Sequence, residues 1–389
     1  MRQLPEHVPV VIAGGGPVGA ALALGLQGSH IDPLLLEGRS APSDSDDTRF
    51  LALSFGSRLI LERLGVWTSI EREATPIRHI EVTQQGGFGR TELNADELGL
   101  AALGYVVRYR DLARILSRAL EQGGRSANGV MVTDVRTTRD FAAVDCAADG
   151  QTRLVSASLL VLADGGGSLA RKGGLTAPLV RDYRQWAVVA WVRTDVGHGH
   201  CAYERFTPSG PAALLPAGDG YSVVLTVPQA DAEALASGSE ADFLNRLRTI
   251  FGGRVAGFSR CSPRSRFPLT LRYVSAITSE RTVLVGNAAQ TLHPVAGQGF
   301  NLGLRDAWTL AQLALRTSAD ELGGRAMLSR YRRERARDRA SGILVTDSLV
   351  RLFSNDTRWL RSARGLGLAM LGFSDGAKHF LMRRMTFGA

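Results

Sequence analysis

Lysine is nearly absent from this chain. Lys172 and Lys378 are the only two, so the formal net charge of +9 and the pI near 10.0 are carried by arginine. Along most of the sequence the arginines are dispersed rather than gathered in blocks, which argues for a bias in base composition and against a nucleic-acid partner. Cysteine is scarce as well. Cys146, Cys201 and Cys261 stand apart, odd in number and without metal-ligand spacing. That excludes a disulfide framework and a cysteine-held metal, and it predicts a reducing, cytoplasmic setting. No apolar run is long enough for a transmembrane helix. The stretch from Val8 to Leu26 has little positive charge ahead of it and is broken by glycines, so it predicts a strand and a helix rather than a secretion signal. Repeats and low-complexity segments are missing. No Ser/His/Asp set, paired carboxylates or metal cluster stands out, and no side chain is singled out as catalytic. The chemistry must come from a bound cofactor.

What is present is an ordinary globular composition, 44% hydrophobic and 21% charged over 389 residues, long enough for two domains or one elaborated one. Val8 to Ala13 predicts a buried strand, Gly14 to Gly19 a tight turn, Ala20 to Gln27 a helix and Pro33 to Glu37 a second strand: one βαβ unit. Apolar spacing in Leu51 to Leu64 and in Leu112 to Leu120 predicts helices packed on the sheet. Ser158 to Ala163 predicts a further buried strand, ended by Asp164-Gly165-Gly166-Gly167. From about Arg181 to Arg264 the pattern changes to period two, as in Trp186 to Val192 and Tyr221 to Val227, with turns at Thr207-Pro208-Ser209-Gly210 and Pro216 to Gly220. This predicts an antiparallel sheet inserted into the α/β domain.

Three motifs punctuate that order. Gly14-x-Gly16-x-x-Gly19 follows a strand and opens a helix, and Glu37 ends the next strand about 20 residues on, where a carboxylate accepts ribose hydroxyls. A side chain at Gly14 is expected to fill the space a pyrophosphate needs. The acidic residue suits FAD or NAD and disfavours a 2′-phosphate. No second such glycine triplet exists, so one dinucleotide is expected to be held permanently and any nicotinamide to visit transiently. Asp47-Thr48-Arg49 offers either a phosphate-binding guanidinium or a solvated loop arginine, and Asp164-Gly165 with Ser168 and Arg171 is either a second contact or a plain turn. The run Gly286 to Asp306 reads as a strand end, a glycine loop with Gly297 and Gly299, and a helix start, which suits a flat or anionic ligand. Within it, His293 before Pro294 is either a base for a phenol or a hydrogen-bonded loop residue.

Taken together, the three motifs resemble the FAD-dependent aromatic hydroxylases similar to p-hydroxybenzoate hydroxylase. The pieces are Gly14, Gly16, Gly19 and Glu37, then Asp164-Gly165, then Gly286-Asn287 with Pro294, Gly297 and Gly299. Within that family the likeness is to the ubiquinone-biosynthesis hydroxylases, through Thr48-Arg49-x-x-Ala52-Leu53-Ser54, Leu103 to Val107 and Phe206 to Pro216. Most members read Gly-Asp-Ala-Ala-His in the third motif. Gly286-Asn287-Ala288-Ala289-Gln290-Thr291-Leu292-His293-Pro294 instead looks like the 2-polyprenyl-6-methoxyphenol hydroxylase branch.

The resemblance implies an α/β fold: a Rossmann-type FAD-binding domain over 1–78, 102–180 and 265–340, a β-sheet substrate domain over 79–101 and 181–264, and a helical segment over 341–389. It implies that Gly14, Gly16 and Gly19 hold the pyrophosphate, Glu37 the adenosine ribose, Arg49 and Arg110 the extended FAD chain, and Asp164 the pyrophosphate region. Asn287 would meet the ribityl or phosphate segment, Pro294 would lie over the reactive face, the backbone around Gly299, Phe300 and Asn301 would meet the flavin edge, and Gly286 and Gly297 count among the cofactor-binding residues. The implied activity is a monooxygenase that hydroxylates a polyprenylated phenol through a C4a-hydroperoxyflavin, with O2 as co-substrate and NADH or NADPH as transient electron donor. Other ubiquinone-biosynthesis proteins are the expected associates. The competing readings are an NAD-dependent dehydrogenase, a hydroxylase of another ring position or aromatic substrate, and a non-catalytic FAD-bound scaffold. A flavin halogenase would need a Trp-x-Trp-x-Ile-Pro segment, which Trp186 and Trp191 do not make. The tail combines Arg325, Arg330, Arg332, Arg333, Arg335, Arg337 and Arg339 with apolar Leu349, Leu352, Phe353, Leu366, Leu368, Met370, Leu371, Phe373, Phe380 and Leu381. It suits either a helical cap with solvated arginines or a peripheral contact on the inner face of the cytoplasmic membrane.

Overall fold

The computed structural model describes residues 4–40, 47–87, 89–166, 169–255, 257–294, 297–353 and 374–388, with Gly365, Gly367 and Met370. Gly167, Ser168, Leu366, Leu368, Leu371 and Phe373 lie outside the described residues. In chain order, β1 (His7–Ala13), α1 (Pro17–Leu26) and β2 (Pro33–Glu37) come first. They are followed by β3 (Phe50–Ser54), α2 (Phe55–Arg63), α3 (Trp67–Glu71), β4 (Thr75–Ile77), β5 (His79–Gln84), β6 (Arg90–Asn94), β7 (Gly104–Arg108) and α4 (Tyr109–Glu121). Then come β8 (Arg125–Asn128), β9 (Met131–Thr137), β10 (Ala142–Ala148), β11 (Gln151–Leu162), β12 (Leu179–Thr194), β13 (Cys201–Thr207), β14 (Gly210–Ala217) and β15 (Gly220–Pro228). The chain continues through α5 (Gln229–Ser237), α6 (Glu240–Phe251), β16 (Phe258–Cys261), β17 (Ser265–Tyr273), β18 (Thr278–Ser279), β19 (Thr282–Leu284) and β20 (Gln290–Thr291). It ends with α7 (Gln298–Leu315), α8 (Arg325–Phe353) and a last described helix, Asp375–Phe387.

A first sheet has the order β18-β19-β11-β1-β2-β8, and β1 pairs in parallel with both β2 and β11. Val10, Val11 and Ile12 are fully buried, as expected of a central parallel strand covered on both faces. The helix α1 packs against α4 and α7, and its small residues Ala20, Ala21 and Ala23, all buried, permit that close approach. A second sheet, β20-β17-β12-β15-β14-β13-β5-β6, forms the other lobe. On one of its faces Val188, Val192, Leu214, Val223 and Leu225 pack with Phe243, Leu247 and Phe251 of α6 into a core of their own. Its other face looks back towards the first sheet. Strands β3, β7 and β4 make a small third sheet between the two.

Three sequence expectations change. Leu51 to Leu64 is not one helix: Phe50–Ser54 pairs antiparallel with Gly104–Arg108, and only then does α2 begin, its first turn capped by Ser54 Oγ accepting from Ser57 N at 3.2 Å. The segment 265–273, assigned to the FAD-binding part, runs alongside β12 in the second sheet, from Leu179↔Tyr273 to Val189↔Ser265. The boundary at 340 falls inside α8, which continues unbroken to Phe353. Register and helix length depend here on partners far away in sequence, which local spacing does not carry.

Candidate active site

A cavity of about 1180 Å3 runs between the two lobes. Its α/β side is built by the chain reversals after β1, β2, β11 and β19. Gly14, with φ of +115°, donates its N–H to Leu36 O at 2.8 Å, and a Cβ there would lie 2.5 Å from Ala163 O. Gly14 lines the cavity, and the neighbouring strand by itself already requires its bareness. At Gly19 a Cβ would strike Gly14 O. Gly16, also on the cavity wall, differs in that its φ is an ordinary −61° and the nearest atom to an added Cβ is Tyr109 Oη at 3.8 Å. The space cleared for a ligand lies over Gly16. As N-cap of α1 it has no side-chain cap, so the first turn's N–H groups face the cavity. Gly297, with φ of +61°, likewise begins α7 without a side-chain cap on the same cavity. Two open helix starts on one groove fit the pyrophosphate and ring edge of a dinucleotide.

Glu37 lines this groove and is already engaged. It accepts from Gly15 N at 2.8 Å, from Arg39 N at 2.9 Å and from Arg39 Nε at 2.9 Å. Burial alone would raise its pKa, but the hydrogen bonds and charge of Arg39, with the Gly15 N–H, outweigh that and hold it below the ordinary value. A ribose hydroxyl at Glu37 would share its oxygens with Arg39. Arg49 is on the cavity wall too, with Nε 2.8 Å from Asp47 Oδ1 and its guanidinium 4.8 Å from the centre of the Phe267 ring. Asp164 and Asn287 reach the cavity, and the Asn287 carbonyl accepts from Arg272. Pro294, Gly299 and Phe300 line it as well.

Four expected contacts are placed elsewhere. Arg110 is exposed on α4 and is not on the cavity wall; its neighbour Tyr109 is. Gly19 and Gly286 are buried behind the wall, where Gly286 packs on Val18 and donates its N–H to Asp306 Oδ2 at 3.2 Å. Asn301 is buried and off the cavity wall. Its Oδ1 accepts from Ser54 N at 2.8 Å and Ser57 Oγ at 2.7 Å, and its Nδ2 donates to Ala52 O at 2.9 Å and Gly297 O at 2.8 Å. It fastens β3 to the start of α7, holding the glycine loop that faces the ligand. His293 lines the cavity edge-to-face with Tyr183, at 5.6 Å between ring centres, and burial pulls its pKa down to about 4. At neutral pH it is uncharged.

The opposite wall is the free face of the second sheet. Alternation along β12, β13, β14 and β15 turns Val189, Ala202, Phe206, Ala213, Leu215 and Val224 into the cavity. Ser222 and Thr226 flank Val224 on that face, and one charged residue stands on it: Glu204 on β13, whose pKa burial pushes up to about 7. Neither Glu204 nor Arg39 was legible as a site residue, although a charge at an inward position of a strand is a signal in itself. The raised pKa has a measurable consequence. An acid at 4.5 unfolded and about 7 folded destabilises the protein progressively as pH rises through that interval, fully above it. Glu204→Gln removes the charge, so it should stabilise the protein on the order of 2–3 kcal/mol at pH 8 and leave stability at pH 4 unchanged. Thermal melts of both proteins at the two pH values check this; an equal shift at both would contradict it.

Comparison with known proteins agrees with this geometry. The FAD binding domain family matches residues 7–344. The chain is 33% identical to the ubiquinone hydroxylase UbiL of Rhodospirillum rubrum, over 96% of this chain and 88% of that protein. It is 31% identical to the 3-demethoxyubiquinol 3-hydroxylase of Escherichia coli K12, over 93% and 94%. The p-nitrophenol 4-monooxygenase PnpA of Pseudomonas putida DLL-E4 shares the fold, with a TM-score of 0.80 over 99% of both chains at 19% identity. With the groove, its two open helix starts and these relatives on one chain, the protein belongs to the FAD binding domain family as an FAD-dependent monooxygenase of the ubiquinone-hydroxylase group.

Proposed function

We propose that the chain hydroxylates 2-polyprenyl-6-methoxyphenol in ubiquinone biosynthesis, para to the phenolic hydroxyl, using O2 and electrons from NADH or NADPH. The observation that carries this is the continuity of the cavity. From the dinucleotide groove it passes over the apolar sheet face and on between α8 and the last helix, where Val345, Leu349, Leu352, Leu381 and Met385 line it. Val345 and Leu352 are also 39% and 43% exposed to solvent, so the apolar passage opens there. An aromatic head on the sheet and a prenyl tail in that passage fill the shape.

Bound FAD, once reduced, would supply an oxygen atom from O2; the protein contributes position and exclusion of water. Gly16, Glu37, Arg39, Arg49, Asp164, Asn287 and the start of α7, all on the cavity wall, would hold it. No described helix is long and apolar enough to cross a membrane. Peripheral contact belongs to the same proposal, supported by exposed Leu344 and Leu352 on α8 and Phe380 on the last described helix. The basic stripe of α8 contributes less than its sequence suggests, because Arg335 and Arg339 are buried.

The test is genetic. A strain lacking this chain should accumulate 2-polyprenyl-6-methoxyphenol, identified by mass and fragmentation, and purified protein with FAD and NAD(P)H should convert it to the hydroquinone. Accumulation of a different quinone precursor would sink the assignment of substrate and position.

A further inference from the structure

Four carboxyls line the cavity, and three of them have cations. Glu37 is paired with Arg39, Asp338 with Arg305, and Asp164 faces Arg272. The fourth, Glu204, has no ion pair or hydrogen bond among the described residues. Across the sheet it stands between Val82 of β5 and Ala213 of β14, and Ala213 is followed in turn by Val224 of β15. Along its own strand Ala202 and Phe206 share its face, and Phe206 packs with Val82 and with Leu349 of α8. The charged residues nearest in sequence turn the other way: Glu81 lies opposite Tyr203, one residue out of step, and is paired with Arg254 and Arg90. Arg205 points to that same reverse face, donating to Thr83 Oγ1. Elsewhere on the wall Arg384 donates to Ser341 and His293 is uncharged at neutral pH. A carboxyl without a cation or hydrogen bond on a floor otherwise apolar but for Ser222 and Thr226 is costly to the empty protein, and a ligand hydroxyl is the partner it lacks.

We propose that Glu204 is a catalytic residue of the hydroxylation, accepting the proton of the substrate's phenolic hydroxyl. This rests on the reading of the substrate as a phenol. As the ring takes up oxygen, the phenolic O–H bond breaks heterolytically; its electron pair stays on the phenolic oxygen and feeds the ring, and the proton passes to the Glu204 carboxylate. The ring carbon that gains oxygen then loses its hydrogen as a proton, which ends in the water that carries off the second oxygen atom of O2; aromaticity returns, and Glu204 gives its proton back to the phenolic oxygen, so that phenol, O2, NAD(P)H and one proton become hydroquinone, water and NAD(P)+. Glu204 ends unchanged; O2 is the oxidant and NADH or NADPH the reductant. A base with a pKa near the working pH is the most effective kind, and burial brings Glu204 to about 7.

The experiment uses holoenzyme, 2-methoxy-6-prenylphenol and its methyl ether, which lacks the O–H. Binding is read from perturbation of the flavin spectrum between pH 5 and pH 9. In the native protein the phenol should bind about tenfold more tightly as pH rises through 7, because the carboxylate accepts a stronger hydrogen bond than the acid. The ether should show no such gain, and Glu204→Gln should show none with either ligand. In turnover, Glu204→Gln should lower kcat about a hundredfold or more and remove the pH limb near 7, and Glu204→Asp should restore the limb. A phenol slope that is the same in native and Glu204→Gln protein overturns the role of Glu204 and leaves the hydroxylase reading standing. A slope lost in the variant, in a strain that accumulates some other phenol, supports Glu204 and moves only the identity of the substrate.

Discussion

Arg335→Met is expected to lower stability by about 3–5 kcal/mol and to weaken FAD binding with it. Arg335 is 5% exposed at its side chain, with Nε 2.7 Å from Asp306 Oδ1 and a terminal nitrogen 2.7 Å from Asp338 Oδ2. Burial would lower its pKa, but the two carboxylates outweigh that and raise it, so the guanidinium stays charged. Methionine fills much of the same volume and leaves Asp306 buried without its cation. The effect does not stay local. Asp306 also accepts from Gln290 Nε2 at 2.6 Å and Gly286 N at 3.2 Å, and Gln290 Oε1 accepts from Arg339 Nε at 2.7 Å. Gly286 and Gln290 bracket Asn287, so the ion network under α7 and α8 holds the third cofactor loop in place. Thermal melts and FAD titration measure the two effects. Adding Asp306→Asn should recover part of the loss, since removing both charges leaves less buried charge unpaired; a double variant worse than Arg335→Met by the full effect of Asp306→Asn would mean that the pair is not coupled.

Gly16→Val is expected to give folded, colourless protein. The added Cβ meets nothing closer than 3.8 Å, the residue precedes Pro17, and its extended conformation suits both a β-branched residue and a proline-preceding one. What it fills is the approach to the open start of α1, so FAD affinity should fall about a hundredfold or more. Gly14→Val is expected to fail differently: with φ of +115° and Ala163 O 2.5 Å away, it should reduce soluble yield before cofactor loss can be measured. Circular dichroism separates the two cases. Native-like FAD content in Gly16→Val would mean that the pyrophosphate does not pass this turn.

The glycine triplet, Glu37 and the two-lobed order were legible because each rests on short spacing: three glycines, a strand length, an alternation of two. The different constraints on Gly14 and Gly16 were not, since both are bare in sequence and only the position of Ala163 tells them apart. The resemblance brings the backbone at Asn301 to the flavin edge but says nothing of its side chain, whose four hydrogen bonds go to β3, Ser57 and Gly297, partners about 250 residues away or folded back under the loop. Arg335 and Arg339 read as part of a solvated basic stripe, because the acids that draw them inward, Asp306 above all, sit on another helix. Glu204 escaped notice for the opposite reason. Nothing near it in sequence is unusual, and only the second sheet's turning of that face inward makes one carboxyl conspicuous.

The opening beside Val345 and Leu352 bears on how the protein would treat homologues of one substrate. A closed pocket measures a tail, since each isoprene unit either fits or is refused. A passage with an outlet takes hold of only the first few units, and every unit beyond Leu352 is left to the surroundings. On the proposed reading, discrimination among tails should flatten once the chain is long enough to reach the outlet. The length of the quinone in a given cell would then be set by the enzyme that builds the tail, not by this one.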